Sequence, residues 1–258
     1  MSRRRAPATV CIPWRPSPSR MAAYNRVLEL WWKTGWPVIT ADSDGDIFSL
    51  SQARNNAVAQ AKTDVVVICD ADTVPDIANV KAAVADPVGV CWPFTRYRIL
   101  APEYVEVPFR RLAELPTLYE WGGDGAAGVG GCLVTTTAEY WRLGGQDPAF
   151  IGWGHEDTAF TFVVETLSTL RRTPGNIYAF EHNSAAAGGY TGAKADSPGW
   201  DRDYGRNEAL MSRYRVARGR AWLMREIIKE RVGTDPLGDT PNLGDPDLNH
   251  ALAGRYKP

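Results

Sequence analysis

With 258 residues, 44% of them hydrophobic, the chain is long enough for one large α/β domain with a full core, or for two small ones, and needs no covalent staple. A net charge of -1, from 29 basic and 30 acidic residues, excludes the broad basic surface of a nucleic-acid or anionic-membrane binder and leaves a small molecule or another protein as partner. No apolar run approaches the roughly 20 residues of a membrane span, and the basic start Ser2-Arg3-Arg4-Arg5 leads into Pro7 and a short strand, not a signal-peptide core. Cys11, Cys69, Cys91 and Cys132 are widely spaced in apolar segments, so they read as buried free thiols of a protein in a reducing, cytoplasmic compartment. Ten tryptophans exceed what a core of this size needs, and Trp favours flat surfaces with polar tips, sugar-binding clefts among them.

In chain order, Thr9 to Ile12 reads as a strand. Ser19 to Lys33 follows as a helix with Tyr24, Val27, Leu28 and Trp31 at i, i+3, i+4, i+7, stopped by Gly35 and Pro37. Trp31 and Trp32 are both assigned to the core. Val38 to Ala41 is a second strand; after the acidic turn Asp42-Ser43-Asp44-Gly45-Asp46, Ser49 and Gln52 form a capping box that opens a helix to Ala61. Val65 to Cys69 is a third strand, Asp76 to Ala85 a helix and Val88 to Trp92 a fourth strand. This alternation predicts βαβ units and a largely parallel sheet, with helices on both faces. From Phe94 to Trp121, Pro102, Pro108 and Pro116 predict loops and short pieces over the sheet. Gly128 to Thr135 is strand-like, Thr137 to Leu143 a short helix ended by Gly144-Gly145, Glu156 to Thr169 a helix burying Phe160, Val163, Val164 and Leu167, and Asn176 to Glu181 a strand. The glycine-rich stretch Ala185 to Gly199 is expected to be a flexible lid, Tyr204 to Arg231 a basic helical region, and the chain from Gly233 a weakly ordered tail.

Asp70-Ala71-Asp72 follows directly on the apolar run Val65 to Cys69. Period-two alternation would send both carboxylates to one side, at the strand end where α/β sheets bind ligands. Two hard oxygen donors there suit Mg²⁺ or Mn²⁺ with a nucleotide phosphate; equally, such a short motif could simply cap the next helix.

The segment Phe150-Ile151-Gly152-Trp153-Gly154-His155-Glu156-Asp157, taken with Asp70-Ala71-Asp72, resembles the GT-A fold glycosyltransferases, in particular the carboxyl-terminal F-W-G-W-G-x-E-D signature of the β-1,4-galactosyltransferase type. Ile12-Pro13-Trp14-Arg15 is similar to that family's I-P-F-R segment, and Ala53-Arg54-Asn55-Asn56-Ala57 to the A-R-N-x-G element of bacterial family 2 enzymes. Gly130-Gly131-Cys132, followed by Leu143-Gly144-Gly145, resembles the G-G-x and I-G-G-F-D stretch leading to the acceptor site. The pieces occur in family order over about residues 9 to 182.

The resemblance implies a single GT-A domain over residues 1–232, with a nucleotide-binding half at 1–93 and an acceptor-binding half at 94–232. By the same match Pro13, Arg15, Asp42, Phe48, Arg54, Asp70 and Gly131 would line the nucleotide-sugar pocket, and Trp153 would pack on sugar. Asp72 and His182, with Asp70 in support, would hold Mn²⁺ or Mg²⁺; Glu156 would contact donor or acceptor sugar and Asp157 would be the general base of an inverting transfer. The donor would be a UDP-sugar of the galactose, N-acetylgalactosamine or glucose type, and the acceptor a hydroxyl of a saccharide, glycolipid or protein. Two departures from the family stand out. His155 replaces a common glycine, and Thr158-Ala159 replaces the acidic run that often follows E-D. The membrane anchor and stem of eukaryotic members have no counterpart, as in a free-standing bacterial or phage-type enzyme.

Two other functions compete. A sugar nucleotidyltransferase would carry a glycine-rich loop after the first strand, where Trp14-Arg15-Pro16-Ser17-Pro18 has none. A catalytically inactive nucleotide-sugar-binding module would have no use for the base, yet Glu156 and Asp157 are both present. Acidic residues also stabilise a helix amino terminus, but that accounts neither for Trp153 nor for its flanking glycines.

Overall fold

The computed structural model describes residues 6–122, 130–152, 154–182 and 204–233. In chain order the first elements are β1 (Thr9–Pro13), α1 (Met21–Trp32), β2 (Val38–Ala41), α2 (Leu50–Ala59), β3 (Val65–Cys69), β4 (Thr73–Pro75), α3 (Ile77–Ala85), β5 (Val90–Trp92), β6 (Arg96–Leu100) and β7 (Tyr119–Gly122). They are followed by β8 (Cys132–Thr136), α4 (Thr137–Arg142), α5 (Glu156–Leu167), β9 (Leu170–Arg172), β10 (Asn176–Phe180), α6 (Tyr204–Ala217) and α7 (Ala221–Val232). The proposed lid at 185–199, and the tail beyond Gly233, lie outside the described residues.

Two sheets organise the chain. The larger runs β2-β1-β3-β8-β5-β9; five strands point one way and β8, antiparallel to both β3 and β5, points the other. This is the α/β architecture with a mostly parallel sheet that the alternation of elements predicts. Strands β8 and β9 come from beyond residue 94 yet lie in the same sheet as β1, β2 and β3. The smaller sheet, β4-β10-β6-β7, joins the expected strand β10 to three strands from segments that the sequence presents as loops or helix flanks.

Strand β3 is a continuous apolar run because both its edges are paired and all five residues are buried. Helix α1 buries Ala23, Val27, Leu30 and Trp31. Trp32 departs from the expectation: it is 65% exposed, because it lies one residue beyond the stripe that carries Trp31 inward. The basic helical region consists of two helices, α6 and α7, interrupted near Gly219. All four cysteines are buried free thiols, and burial pushes Cys11 up to about 12. No described helix is long and apolar enough to cross a membrane.

The capping box holds by half. Ser49 accepts from the Gln52 N–H at 3.3 Å, as an N-cap should. The Gln52 side chain turns to the acidic loop instead, donating to Asp44 at 2.8 Å, and the Ser49 N–H is taken by Ser43 Oγ at 2.9 Å. The helix start thereby braces the loop after β2.

Candidate active site

Strand β3 ends at Cys69, and Asp70-Ala71-Asp72 forms the turn into β4, joining the two sheets. Strict alternation stops there, so the two carboxyls find different partners. The helix-capping reading of this motif is overturned: Asp76 caps α3, its side chain accepting from Ala78 N–H at 2.8 Å. Asp70 is fixed by Gly131, which donates its N–H to Oδ2 at 3.1 Å and takes the Asp70 N–H on its carbonyl at 2.8 Å. Gly131 sits at φ +95, and a Cβ there would lie 2.8 Å from Tyr97 and 2.9 Å from Ile177, so only glycine allows this approach.

At the centre lies Arg54, on α2 and 2% exposed. Its Nη2 donates to Asp70 Oδ1 at 2.6 Å, and its Nη1 to Asp157 Oδ1 at 2.5 Å and Gln146 Oε1 at 2.8 Å. One guanidinium fork therefore ties the turn after β3 to the first turn of α5, with Arg54 itself 103 positions from Asp157. Burial works against its charge, but Asp157 and Asp70 outweigh it and Arg54 is held firmly cationic. Burial raises Asp70, and Arg54 offsets part of that rise. The next residue, Asn55, carries the frame further: it donates to the Gln146 carbonyl at 2.8 Å and accepts from the Tyr140 hydroxyl at 2.6 Å. Arg54 is thus committed to carboxylates.

Asp72 faces a second pair of donors. Arg20 Nη2 and His182 Nε2 both lie 2.8 Å from Asp72 Oδ2. Burial would raise this carboxyl, yet Arg20 and His182 together hold it well below the usual carboxylate range. His182 Nδ1 is buried with no partner among the described residues. A carboxylate oxygen and an imidazole nitrogen already in contact, beside a buried ring nitrogen with no partner among the described residues, form a donor pair that fits Mn²⁺. No group of three His, Cys, Asp or Glu side chains gathers among the described residues, so the phosphates of a ligand would have to complete the coordination.

Beside this centre the loop after β1 carries Arg15, whose Nε bonds both Asp42 oxygens at 2.9 Å while its Nη atoms hold the carbonyls of Ser43, Gly45 and Asp46. Phe48 is buried beneath it, with the guanidinium 5.6 Å from the ring centre. Pro13 ends β1 and is buried. Together these residues shape the acidic turn Asp42 to Asp46 at the sheet edge.

The segment before α5 is clamped from two sides. Gly152 N–H donates to Phe48 O at 3.1 Å and Ser49 Oγ to Phe150 O at 2.9 Å, while Asn207 on α6 donates to Ile151 O at 2.9 Å. Trp153 itself lies outside the described residues. His155 adopts φ +75, the left-handed region that favours glycine, which explains a glycine at this place in the family the sequence resembles. Its Nε2 pairs with Glu208 Oε2 at 2.7 Å, so α6 holds the strained residue.

Glu156 and Asp157 open α5. Asp157 gives Oδ1 to Arg54; its Oδ2 lies against Gly130, where a Cβ would come within 2.4 Å. Burial, then the Asp157 charge, pushes Glu156 up to about 8. Its Oε2 is buried without a partner among the described residues. At pH 7 the two adjacent carboxyls are therefore unlike: Glu156 is neutral, while Asp157 stands in an ion pair. The shift has a stability consequence. Below the ordinary value of 4.5 Glu156 is protonated whether the chain is folded or not; from there to about 8 the unfolded chain ionises and the folded one does not. Stability therefore falls as pH rises through that window. Glu156→Gln is expected to remove this loss, so its melting temperature should gain on the wild type steadily from pH 5 to 8.5, each kcal/mol amounting to about 2–4 °C. Parallel curves would reject the assignment.

The sequence pointed to Asp70, Asp72, Glu156, Asp157 and His182, and the fold gathers them around Arg54 and Arg20. It gave no warning of Arg20, Gln146 or Asn207. Arg20 is one basic residue among several near the amino terminus, and the other two are polar residues whose partners lie 92 and 56 positions away.

No family model matches the chain, and no curated protein is similar to it. Among solved structures it is similar to the catalytic domain of Drosophila β1,4-galactosyltransferase 7 in complex with xylobiose: 18% identity, 65% of this chain and 63% of that one, TM-score 0.41. It is also similar to GalNAc-T7 with UDP, GalNAc and Mn²⁺, at 13% identity over 89% of this chain and 58% of that one, TM-score 0.45. A third likeness is to glucosyl-3-phosphoglycerate synthase from Mycobacterium tuberculosis with Mn²⁺, UDP-glucose and phosphoglyceric acid, at 12% identity over 82% and 79%, TM-score 0.42. The chain spans less than two thirds of the length of the Drosophila protein and of GalNAc-T7.

Proposed function

We propose that the chain is a metal-dependent glycosyltransferase of the GT-A type, moving a sugar from a UDP-sugar of the galactose, N-acetylgalactosamine or glucose type to the hydroxyl of a saccharide, glycolipid or protein. One observation carries the reading: motifs far apart in sequence converge on one cluster, Arg54 joining Asp70 to Asp157 while His182 reaches Asp72. A helix cap or a surface ion pair would not require that convergence.

Asp157 is the residue placed to take the acceptor proton. Arg54 anchors Oδ1 and so orients the carboxylate, leaving Oδ2 outside that ion pair for a hydroxyl approaching past Gly130. As the acceptor oxygen bonds to the anomeric carbon, the bond to the diphosphate breaks and the proton passes to Oδ2, an inverting displacement. Glu156, neutral at pH 7, donates a hydrogen bond to a sugar oxygen and takes no proton. Arg15, with Asp42 and Phe48, shapes the nucleoside side, and Gly131 holds Asp70 beside it. Asp72 and His182 would hold the divalent cation, which when bound would neutralise the departing diphosphate.

Calorimetry of UDP with the protein tests this reading. Binding is expected in the presence of Mn²⁺, to be lost in EDTA, and to be lost in Asp72→Ala with Mn²⁺ present. Equal UDP affinity in all three conditions would reject the metal site, and absence of UDP binding in all of them would reject the donor class.

A further inference from the structure

Arg20 is in an unfavourable place for a cation. It closes the short 3-10 turn Pro18–Arg20 and is the N-cap residue of the 12-residue helix α1, with no side-chain bond to the helix N–H groups. The positive end of the helix dipole there favours an anion or a hydroxyl. What compensates is Asp72: Arg20 Nη2 donates to Oδ2 at 2.8 Å, in a side chain 20% exposed, while its Nε is buried with no partner among the described residues. The same oxygen accepts from His182 Nε2, also at 2.8 Å. The oxygen best placed to meet a cation shared with His182 is thus already taken by a cation that belongs to the protein. A local arrangement that opposes its own helix marks a functional constraint.

We infer that Arg20 is a built-in competitor of the divalent cation, which must leave Asp72 for the metal to bind and which then pairs with the phosphates that arrive with it. This rests on the reading of Asp72 and His182 as metal ligands. It deepens that reading by making metal binding conditional on a phosphate-bearing ligand. Without phosphates the freed guanidinium would have lost Asp72, its one carboxylate partner among the described residues; with them it gains another. Metal and nucleotide then raise each other's affinity by the same factor, as linkage requires.

Mn²⁺ binding measured by calorimetry, and by the electron paramagnetic resonance of free Mn²⁺, without UDP and at saturating UDP, tests the inference. Wild type is expected to bind Mn²⁺ weakly alone and about tenfold or more tightly with UDP. Arg20→Gln is expected to bind Mn²⁺ alone about tenfold more tightly than wild type, since a like charge beside the ligand oxygen has been removed, and to lose most of the coupling to UDP. Arg20→Lys, which keeps the charge, should stay near wild type and guards against a change that is merely structural. Unchanged or weaker Mn²⁺ affinity in a folded Arg20→Gln overturns the inference while leaving the metal site standing. Absence of Mn²⁺ binding to wild type even with UDP overturns the metal site itself.

Discussion

Arg54→Met is expected to cost about 3–5 kcal/mol of folding stability, the largest loss of any single substitution in the site. The reason is asymmetry. With Arg54 present, the buried Asp70 at 2.6 Å and the partly buried Asp157 at 2.5 Å share one fork. Methionine fills much of the volume but leaves the Asp70 carboxylate with the Gly131 N–H alone among the described residues and Asp157 without its cation, with Gln146 Oε1 stripped of a donor as well. The chain answers either by protonating both carboxyls or by opening the contact between α2 and α5, and each route weakens the fold. Arg54→Lys should recover part of the loss and no more, because a single ammonium cannot reproduce the planar fork that spans the two oxygens. Urea unfolding of the three proteins measures it. A loss below about 1 kcal/mol in Arg54→Met would mean that the network is solvated and contributes like a surface pair. Transfer activity should fall with stability, since Asp157 loses its anchor.

The same network shows why some of this molecule was legible in its sequence and some was not. Strands β1, β3, β8 and β10 announce themselves as apolar runs because each is paired on both sides, the edge strand β2 shows a short apolar run of its own, and α5 shows its buried Phe160, Val163 and Val164 at helical spacing. Strands β4, β6, β7 and β9 do not. Thr73–Pro75 and Leu170–Arg172 are three residues each, too short for any period, and Arg96–Leu100 opens with alternating arginines that face the carboxylate of Glu120 across the pair with β7. These strands exist because distant partners pair with them, β10 with β4 and β6, β6 with β7, and β5 with β9, and no local window contains that information. The site divides along the same line. Carboxylates at a strand end or a helix start carry a local signal. Arg20, Gln146 and Asn207 act only through partners on other elements, so their types alone say nothing. Arg54 was legible as a cation near the nucleotide by resemblance; that it is buried and shared between Asp70 and Asp157 could be read only from the packing of α2 against the head of α5.

Asp157→Asn is expected to abolish sugar transfer, lowering kcat by about three orders of magnitude, while UDP binding with Mn²⁺ stays within about twofold of wild type. The substitution is nearly isosteric. The amide oxygen can still accept from Arg54 Nη1 and keep the tie to Gln146, so the fold should lose far less than in Arg54→Met. What disappears is the basic Oδ2 beside Gly130, replaced by an amide nitrogen that cannot accept a proton. The donor side, with Asp72, His182, Arg15 and Asp42, lies on other elements and keeps its geometry. Neighbouring Glu156 cannot step in at pH 7, because a carboxyl pushed up to about 8 is neutral there. Removing the Asp157 charge also removes one of the causes that raise Glu156, so this group should ionise at lower pH in the variant. Any residual transfer in Asp157→Asn should therefore rise with pH and vanish in the double variant with Glu156→Gln. Steady-state rates from pH 6 to 9 decide the matter: full activity in Asp157→Asn would remove it as the base, and a collapse confined to Glu156→Gln would move the proton chemistry one residue back.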